Sequence, residues 1–413
     1  MNPDLAASKA LDSLRVFRGV DPVGTLSRTE HGASFAYDQK YREQHAQDPM
    51  KAIAFKLPVR ELPFVVNGTN LHPFFAGLLP EGLRLHALVR GVKTSEDDLF
   101  SLLAAVGSNT VGDVWVQASG NQSVIIEPVV ELTKLGKTSF DELLAQSLDW
   151  NKGGDLVTVA GVQPKVSAAM ISIPMRPKSQ RHEYLLKLSP NEFPRLVENE
   201  FFFMQLAKSM KLRTAPVKLV HDREGRAGLL VERFDRVPTL SKSATTLDRV
   251  HQEDACQLTD RYPADKYRIS LREVADALEV CSAPLVERLR LLQLQALSYL
   301  IGNGDMHAKN ISVQVHERRV QLTPIYDLVT TLPYGDEHMA LQMDGRDKAL
   351  RRKDFLEFGE RIGVRQAATE RMLDHLIKKV GPIVVRLSEI GFDTKKTSRL
   401  EREVGERAKR LGT

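Results

Sequence analysis

Apolar and polar positions alternate along the first part of the chain, which predicts short strands there. Residues 14–27, LRVFRGVDPVGTLS, alternate on both sides of a Gly/Asp/Pro turn, and residues 52–58, AIAFKLP, predict a third strand. The spacing becomes helical after Pro80, and residues 97–117 predict a helix, a Gly/Ser/Asn turn and a strand. These patterns indicate a small N-terminal α/β module that ends in the polar stretch ASGNQS at 118–123.

The middle of the chain has the pattern of a sheet with a single helix. Residues 198–210, ENEFFFMQLAKSM, have helical spacing. Strand patterns occupy four stretches, at 155–173 with a hinge from Gly161 to Pro164, 182–190, 216–222 and 227–235. We therefore expect a sheet that carries one helix between the N-terminal module and residue 235.

From about residue 236 the apolar spacing is mostly helical, as in PLVERLRLLQLQALSYLIG at 284–302 and in nearly everything after residue 350. A chain of 413 residues exceeds the length at which a single core stops growing, so two or three domains are expected. We assign an α+β fold class and place the domains at 1–122, 123–235 and 236–413.

The composition excludes several classes of protein. With 42% hydrophobic and 27% charged residues the chain is not disordered, and no apolar run is long enough to span a bilayer. The first residues, MNPDLAASKALDSLRVF, lack the basic and apolar regions of a signal peptide. Cys256 and Cys281 are the only cysteines, which suits a reducing cytoplasm and provides too few thiols for a zinc cluster. We expect a cytoplasmic protein without a membrane partner.

The net charge of +5 is unevenly distributed, because residues 346–413 contain 18 Lys/Arg and 11 Asp/Glu. A basic tail of this kind can meet nucleic acid or an acidic partner. The charges are scattered rather than clustered, which favours helices with solvated basic faces. Solvated faces are the favoured interpretation, and an interface is the alternative.

A cluster of polar residues follows the long helical stretch, in GNGDMHAKN at 302–310. Asp305 and Asn310 have the D-x-x-x-x-N spacing with which kinases hold a substrate hydroxyl and a metal ion. His307 is a candidate catalytic residue, although an imidazole in a packed loop more simply orients its neighbours by hydrogen bonds. Lys309 is a second candidate: it could be solvated, but we favour a contact with a transferring phosphoryl group, whose charge it would offset.

The strands predicted after this loop, NISVQV and VQLTPIY, alternate around the turn HERR and indicate a hairpin. With Val315 opposite Val320, the hairpin returns Asp327 to the end of the sheet where Asp305 and Asn310 lie. Three oxygen-bearing side chains then converge on one point, as Mg²⁺ requires when most of its other ligands are water and phosphate.

A nucleotide site also needs a cation near the phosphates and a backbone cradle over them. Lys187 lies among leucines in YLLKLS, where an unpaired ammonium would be costly, so a phosphate or carboxylate partner is expected. Glu200 could orient this lysine, or could simply favour the start of its helix. Gly161 in TVAGVQPKVS is the cradle candidate, and the lack of a G-x-x-x-x-G-K-[ST] loop excludes a P-loop enzyme. The segment VERFDR at 231–236 follows a predicted strand. It could be a hinge between the lobes that contacts the edge of an adenine ring, or it could be an ordinary charged strand end.

Taken together, these segments resemble the HipA family of serine/threonine kinases, the toxin halves of bacterial toxin–antitoxin pairs. The motifs follow the family order from about residue 14 to 334, and they are FFAGLLPEG, LLAAVGSNTVGDV, TVAGVQPKVS, EYLLKLS, ENEFFFMQLAKSMKL, LLVERFDR, HQEDACQL, IGNGDMHAKNISV and LTPIYDL. The helical part of the chain after these motifs resembles the family only in its length and its helical character. The resemblance implies a two-lobed kinase-like fold of the phosphoinositide-kinase type, with an added N-terminal module that helps contact an antitoxin.

The resemblance also implies roles for individual residues. Asp305 would be the catalytic base, Lys187 would meet the ATP phosphates, and Asn310 and Asp327 would hold Mg²⁺. The other expected ATP contacts are Gly161, Val162, Gln163 and Lys165 of the VAGVQPK segment, Glu232 and Phe234 through their backbone groups, and Gln252 and Asp254 of the Q-E-D segment, which also contains Glu253. The family autophosphorylates a serine just before the V-A-G segment, where this chain has Thr158, which carries the same nucleophile or is an ordinary strand threonine.

Three functions compete at this stage. The first is an ATP- and Mg²⁺-dependent serine/threonine protein kinase that acts as a toxin, with aminoacyl-tRNA synthetases as the targets that the resemblance implies. The second is a binding partner that docks on a HipB-like helix-turn-helix antitoxin, reaches operator DNA mainly through it, and acts as a co-repressor. The third, a metallophosphoesterase suggested by GDMH, also needs G-N-H and G-H-x-H, and neither pattern occurs in the sequence.

Overall fold

A five-stranded antiparallel sheet organises the first part of the fold. The computed structural model describes residues 5–68, 70–108, 110–118, 132–148, 170–175, 182–189, 192–238 and 247–413. The described residues up to 118 are here called the N-terminal module. Its strands are β1 (Ser13–Arg18), β2 (Asp21–Thr29), β3 (Gly32–Tyr37), β4 (Phe64–Asn67) and β5 (Val114–Ala118), and its helices are α1 (Gln39–His45), α2 (Pro73–Gly77), α3 (Gly82–Val92) and α4 (Leu99–Val106). The strand order is β4-β3-β2-β1-β5.

The N-terminal module has an apolar core of its own. Alternate residues of β1, Leu14 and Val16, are fully buried and pack with Phe35 of β3 and Phe75 of α2. The alternation of β1 and β2 and the helical spacing after Pro80 therefore led to correct predictions. The core is closed by residues of the module itself.

The strand predicted at 52–58 is not a strand in this described stretch, and that prediction was wrong. Ala52, Ile53 and Ala54 are buried one after another, which is not the pattern of a strand with one solvated face. Ala54 and Leu57 meet only in an isolated bridge. The apolar residues belong to a tight turn pressed into the core, and the third strand is β3.

A four-stranded antiparallel sheet follows in the chain. Its strands are β6 (Ile171–Met175), β7 (Tyr184–Leu188), β8 (Val217–His221) and β9 (Ala227–Glu232), in the order β6-β7-β9-β8. Helix α5 (Phe140–Leu148) packs on one face, where Phe140 contributes to a core with Leu230. Helix α6 (Leu196–Ser209) belongs to the core on the other face, which includes Leu229 and Val231 of β9. The helix predicted at 198–210 is α6, but α5 is a second helix in this part of the chain, so the expectation of a single helix was wrong.

Two small sheets and a helical region complete the described chain. The strands are β10 (Arg236–Pro238) paired with β11 (Leu247–Arg249), and β12 (His251–Asp254), β13 (Ser312–His316) and β14 (Arg319–Leu322) in one sheet. The predicted pairing of Val315 with Val320 is confirmed. Glu317 and Arg318 between the strands both have positive φ, which is the geometry of a two-residue hairpin turn of type I′.

The helices of this region are α7 (Ala255–Leu258), α8 (Leu271–Ala277), α9 (Pro284–Ile301), α10 (Arg352–Arg361), α11 (Gln366–Val380) and α12 (Thr394–Gly412), with a 3-10 stretch at Gly381–Ile390. Helix α9 is central, because most of its second half is buried against the later helices. It begins with Pro284 at its first position and ends at Gly302, whose φ of +70° suits a helix stop. Over the described residues, the structure contains no helix with the length and apolar character needed to cross a bilayer.

Buried charges join the N-terminal module to the sheet of β6 to β9. Asp235, 5% exposed, accepts hydrogen bonds from the backbone N–H of Gly112 at 3.0 Å and from the guanidinium groups of Arg233 and Arg236, both at 2.7 Å. Arg236 also donates to the carbonyl oxygen of Thr110 at 2.9 Å. Three residues of the VERFDR segment are thus used to hold the loop before β5.

A second buried cluster is centred on His251, at the start of β12. Its ring nitrogens lie 2.7 Å from Asp113 and 3.0 Å from Glu253, and the Glu253 carboxylate also accepts the backbone N–H of Phe55 at 2.9 Å. Arg18 completes the cluster by donating to Asp113 at 2.8 Å. Burial alone would lower the pKa of His251, but the neighbouring carboxylates raise it to about 9.

The His251 cluster predicts that stability falls in alkaline solution. Because the pKa of the folded state is raised above the ordinary value, the stabilisation is fully present below about pH 6.5 and is lost as the pH rises through about 9. The free energy of unfolding, measured by urea titration over this range, should therefore decrease with pH. The decrease should be smaller in His251→Gln and unchanged in His31→Gln, which alters an exposed histidine. An equal pH dependence in all three proteins would contradict the assignment.

Candidate active site

The loop after α9 fixes Asp305 in a buried position, 2% exposed. Gly302 allows the chain to leave the helix, and a Cβ atom there would lie 2.3 Å from a methyl carbon of Leu332. The backbone N–H of Asp305 donates to the side chain of Asn303 at 2.9 Å. Its carbonyl oxygen accepts the Nδ2 group of Asn310 at 2.9 Å, so the two residues of the D-x-x-x-x-N spacing are bonded to each other.

Tyr267 is an unpredicted neighbour of Asp305. Its hydroxyl donates to Oδ1 of Asp305 at 2.6 Å. Burial and the charge of Asp305 both raise the pKa of Tyr267 well above its usual value, so the hydroxyl keeps its proton and acts as a donor. Tyr267 therefore fixes the orientation of the Asp305 carboxyl group through this hydrogen bond.

His307 packs against Tyr267, with ring centroids 5.0 Å apart in an edge-on arrangement. Neither ring nitrogen has a hydrogen-bond partner among the described residues, so the orienting hydrogen bonds expected from the sequence are not present there. The side chain is 2% exposed, and burial lowers its pKa. The imidazole is therefore neutral and contacts the Asp305 loop by packing.

Lys309 reaches away from its loop to three acceptors. Its ammonium group lies 3.1 Å from the carbonyl oxygen of Gly77, 3.1 Å from Asp254 and 3.8 Å from Glu81. Burial alone would lower the pKa of Lys309, but the carboxylates of Asp254 and Glu81 raise it above its usual value. The group stays charged and connects the N-terminal module to the Asp305 loop.

Lys187 on β7 is the centre of a buried ion cluster. Its ammonium group lies 2.8 Å from Oε1 of Glu200 on α6 and also contacts the carboxylate of Asp327. The predicted contact between Lys187 and Glu200 is thus present. Burial alone would lower the pKa of Lys187, but Asp327 and Glu200 raise it, whereas burial raises the pKa of Glu200. A charged amine is held between two carboxylates at the edge of the Asp305 loop.

The hairpin of β13 and β14 brings Asp327 back to this loop. Asp327 has a φ of +56°, in the left-handed region, which turns the chain after β14. The preceding residue, Tyr326, donates its hydroxyl to the carbonyl oxygen of Lys309 at 2.9 Å and lies 2.7 Å from the hydroxyl of Ser312. These bonds fix Asp327 relative to Asn310, as the register of the hairpin predicted.

Asn199, next to Glu200 on α6, was not singled out from the sequence. Its side chain donates to the carbonyl oxygen of Thr330 at 2.8 Å and accepts the backbone N–H of Thr330 at 3.0 Å. The residue is fully buried. This pair of bonds ties the helix that carries Glu200 to the segment that follows Asp327, and the only signal in the sequence is a polar residue between two glutamates.

The expected adenine contacts lie at the end of β9. The backbone N–H of Glu232 donates to the carbonyl oxygen of Pro216 at 2.9 Å, so the backbone of Glu232 has only its carbonyl oxygen to offer a nucleotide. Its side chain lies 2.9 Å from His182. Phe234 is partly buried beside Tyr326, with ring centroids 5.6 Å apart.

The Q-E-D segment forms β12 and has divided roles. The buried amide oxygen of Gln252 has no hydrogen-bond partner in the part of the chain that the structure describes. Glu253 belongs to the His251 cluster. Asp254 caps α7 by accepting the backbone N–H of Gln257 at 2.9 Å, and its other oxygen faces Lys309.

The remaining candidates lie outside the described residues, and they are Thr158, Gly161, Val162, Gln163 and Lys165.

The oxygen ligands expected for a metal ion are limited to a carboxylate and an amide. Among the described residues, no group of three or more His, Cys, Asp or Glu side chains could hold a metal ion. Asn310 uses its amide nitrogen within the loop, which leaves its oxygen as the atom suited to a cation, and Asp327 adds a carboxylate. A pair of hard oxygen ligands fits Mg²⁺, which keeps several waters and binds substrate phosphates.

Comparisons with known proteins agree along the chain. Residues 14–117 match the model of the HipA N-terminal domain, and residues 157–382 match that of the HipA-like C-terminal domain. The serine/threonine-protein kinase toxin HipA of Shewanella oneidensis is 28% identical over 311 residues, which cover 68% of either chain. The Sinorhizobium fredii protein Y4mE is 28% identical over 410 residues, which cover 94% of this chain and 95% of the relative.

The fold agrees with the same family. In the solved complex of Shewanella oneidensis HipA, HipB and operator DNA, a chain with 20% identity matches with a TM-score of 0.73, covering 96% of this chain and 97% of that chain. At this identity the match shows a shared fold of mixed helix and sheet. The HipA-like C-terminal model alone matches more than half of the 413 residues, and the N-terminal model matches most of the N-terminal module. The chain therefore belongs to the HipA family of kinases.

Proposed function

We propose that the chain is an ATP- and Mg²⁺-dependent serine/threonine protein kinase with a two-lobed arrangement of the phosphoinositide-kinase type. The lobes would be residues 123–235 and 236–413, with 1–122 as the added module. The observation that supports this most directly is the ion cluster of Lys187, Glu200 and Asp327 beside the loop that bonds Asp305 to Asn310. A kinase needs these groups together: a cation for phosphate, a carboxylate and an amide for the metal, and a base.

In this proposal Asp305 accepts the proton of a serine or threonine hydroxyl as that oxygen attacks the γ-phosphorus of ATP. The bond from the γ-phosphorus to the bridging oxygen breaks, and ADP leaves. Tyr267 holds the carboxylate in place through its 2.6 Å hydrogen bond. A positioned base of this kind contributes about a hundredfold or more to the rate.

Lys187 is proposed to bind the ATP phosphates while Glu200 holds its ammonium group in place. Bound Mg²⁺ would offset the charge of the phosphates, and Asp327 and Asn310 would hold it. Glu232, Phe234, Gln252 and Asp254 are proposed contacts of the nucleotide, together with the segment that contains Gly161, Val162, Gln163 and Lys165. Lys309 is proposed to meet the transferring phosphoryl group while its ammonium stays beside Glu81, which requires it to turn only from the carbonyl oxygen of Gly77 and from Asp254.

The metal assignment predicts that Asp327→Ala and Asn310→Ala remove phosphoryl transfer by disturbing Mg²⁺. Each change deletes one of the two oxygen ligands, so ATP should bind weakly and without dependence on a divalent ion. Calorimetry of ATP binding with and without Mg²⁺ measures this directly. Asp374→Ala, which removes an exposed carboxylate on α11, is the control and should behave as the parent protein. The assignment would be contradicted if both site variants bound Mg²⁺-ATP as tightly as the parent protein and transferred phosphate undiminished.

The biological setting we propose is a type II toxin–antitoxin pair. Two relatives support this setting. The Shewanella oneidensis HipA is named as a kinase toxin, and a solved structure contains HipA with HipB and operator DNA. This chain would bind a HipB-like helix-turn-helix antitoxin, reach DNA mainly through it, and phosphorylate a translation protein such as an aminoacyl-tRNA synthetase in the cytoplasm. Thr158 is the proposed site of autophosphorylation.

A co-repressor with weak kinase activity is the second candidate, favoured by the presence of operator DNA in the same complex. The two candidates differ in whether toxicity needs phosphoryl transfer. Induced expression of the parent chain, followed by phosphoproteomics, tests the first directly. A target phosphorylated on serine or threonine should appear before growth stops.

A further inference from the structure

Glu81 lies at the junction of the N-terminal module and the Asp305 loop, and the proposed reaction gives it no role. It precedes α3 at the N-cap position, yet its side chain makes no capping hydrogen bond. Gly82, with a φ of +56°, turns the chain at this point. The Glu81 carboxylate instead lies 2.7 Å from the ammonium group of Lys266 and 3.8 Å from that of Lys309.

The two lysines belong to the two segments that enclose Asp305. The carbonyl oxygen of Lys266 accepts the backbone N–H of Ala308 at 3.1 Å, and the next residue, Tyr267, donates its hydroxyl to Asp305. Lys309 precedes Asn310, whose side chain donates to the backbone of Asp305. One carboxylate therefore contacts both segments that fix the proposed base.

The surroundings of Glu81 favour a charged, fixed carboxylate. Burial alone would raise the pKa of Glu81, but Lys309 and Lys266 lower it. The neighbouring Gly77 brings its carbonyl oxygen to 3.1 Å from Lys309, and a Cβ atom on Gly77 would lie 2.8 Å from the side-chain nitrogen of Gln257. The N-terminal module thus approaches the site closely and brings to it the backbone carbonyl oxygen of Gly77 and the side-chain carboxylate of Glu81.

We propose that Glu81 is a positioning residue, which sets the geometry of Asp305 by holding Lys266 and Lys309 together, so that the N-terminal module completes the active site. Glu81 touches neither ATP nor the acceptor hydroxyl. This inference rests on the proposed kinase function, because it takes Asp305 as the base. It also makes a structural claim about the loop that does not depend on catalysis.

The test compares Glu81→Gln, Glu81→Asp and Asp38→Asn in the full chain. Asp38 is the matched control, since its carboxylate binds Arg15 within the same module. Transfer from labelled ATP to dephosphorylated casein and to the chain itself gives kcat and the KM for ATP. We expect Glu81→Gln to lower kcat about tenfold to a hundredfold, as displacement of a reacting group does. Its KM for ATP should change by less than about twofold, since ground-state binding is untouched.

Hydrogen exchange provides a second, independent measurement. In Glu81→Gln the backbone amides of residues 303–311 should exchange faster, while those of β9 should be unchanged. Glu81→Asp should recover part of the rate, and Asp38→Asn should match the parent. The inference would be overturned if Glu81→Gln had the same kcat and the same exchange rates as the parent. Faster exchange throughout the chain would also overturn it, because Glu81 would then stabilise the whole fold rather than the Asp305 loop. If the parent transfers no phosphate, the kinase proposal fails, and the exchange data alone still decide whether Glu81 holds the loop.

Discussion

Replacing Asp305 with asparagine should lower phosphoryl transfer by about a hundredfold or more, the scale expected for losing a positioned general base. The fold and ATP binding should be retained, because asparagine has nearly the same shape and keeps an oxygen that can accept the Tyr267 hydroxyl. Transfer is measured with labelled ATP, and ATP binding is measured by calorimetry. Phosphate on Thr158 should appear by mass spectrometry in the parent and not in this variant.

Growth is the fourth readout of the Asp305→Asn variant, and it separates the two candidate functions. Arrest that disappears with transfer supports a kinase toxin, whereas arrest that persists would mean that toxicity comes from binding and would favour the co-repressor. Asp347→Asn serves as the control, since its partly buried carboxylate lies 3.1 Å from the exposed His338 and outside the proposed site. It should leave transfer, ATP binding and growth arrest as they are in the parent.

Replacing Asp235 with alanine should destabilise the protein by about 3–5 kcal/mol, the range for removing one partner of a buried ion pair. Burial alone would raise the pKa of Asp235, but the guanidinium groups of Arg233 and Arg236 hold it well below its usual range. The variant would leave both buried cations without this partner and the N–H of Gly112 without its acceptor. Urea unfolding, followed by circular dichroism, measures the loss.

Two further variants make the Asp235 prediction specific. Asp235→Asn keeps an acceptor for Gly112 but removes the charge, so its destabilisation should be smaller than that of Asp235→Ala. Asp38→Ala breaks a partly exposed pair with Arg15 and should cost no more than about 1 kcal/mol. A loss in Asp235→Ala as small as that in Asp38→Ala would show that the buried cluster does not join the module to the rest of the chain.

Local patterns were sufficient to predict much of the site. The alternation in β13 and β14 predicted the register that returns Asp327 to the Asp305 loop. The leucines around Lys187 indicated a phosphate or carboxylate partner, and Glu200 and Asp327 are carboxylates that contact it. Both inferences depend on residues close in sequence, or on the fixed geometry of a hairpin. The strand predicted at 52–58 failed because a short run of apolar residues is equally compatible with a buried turn.

The residues that sequence reasoning missed have distant partners. Tyr267 bonds Asp305 across 38 positions, Asn199 bonds Thr330 across 131, and Glu81 bonds Lys266 across 185. Nothing in the local periodicity of such residues identifies the partner, because tertiary packing decides which polar groups meet. The VERFDR segment shows the same limit: its position after a strand suggested a contact with an adenine edge, which stays a prediction, and nothing in it indicated that Arg233, Asp235 and Arg236 bind the loop before β5.

The closed core of the N-terminal module has a consequence for the order of assembly during synthesis. Chains emerge from the ribosome with the N-terminus first, and domains generally fold as units. The module can bury its own apolar residues at once, while Glu81 and the carbonyl oxygen of Thr110 remain hydrated until their partners are made. Lys266, Asp305 and Asp327 follow far later in the chain. A nascent chain can therefore hold a finished module and no reactive centre, which delays the proposed toxic activity until synthesis is nearly complete.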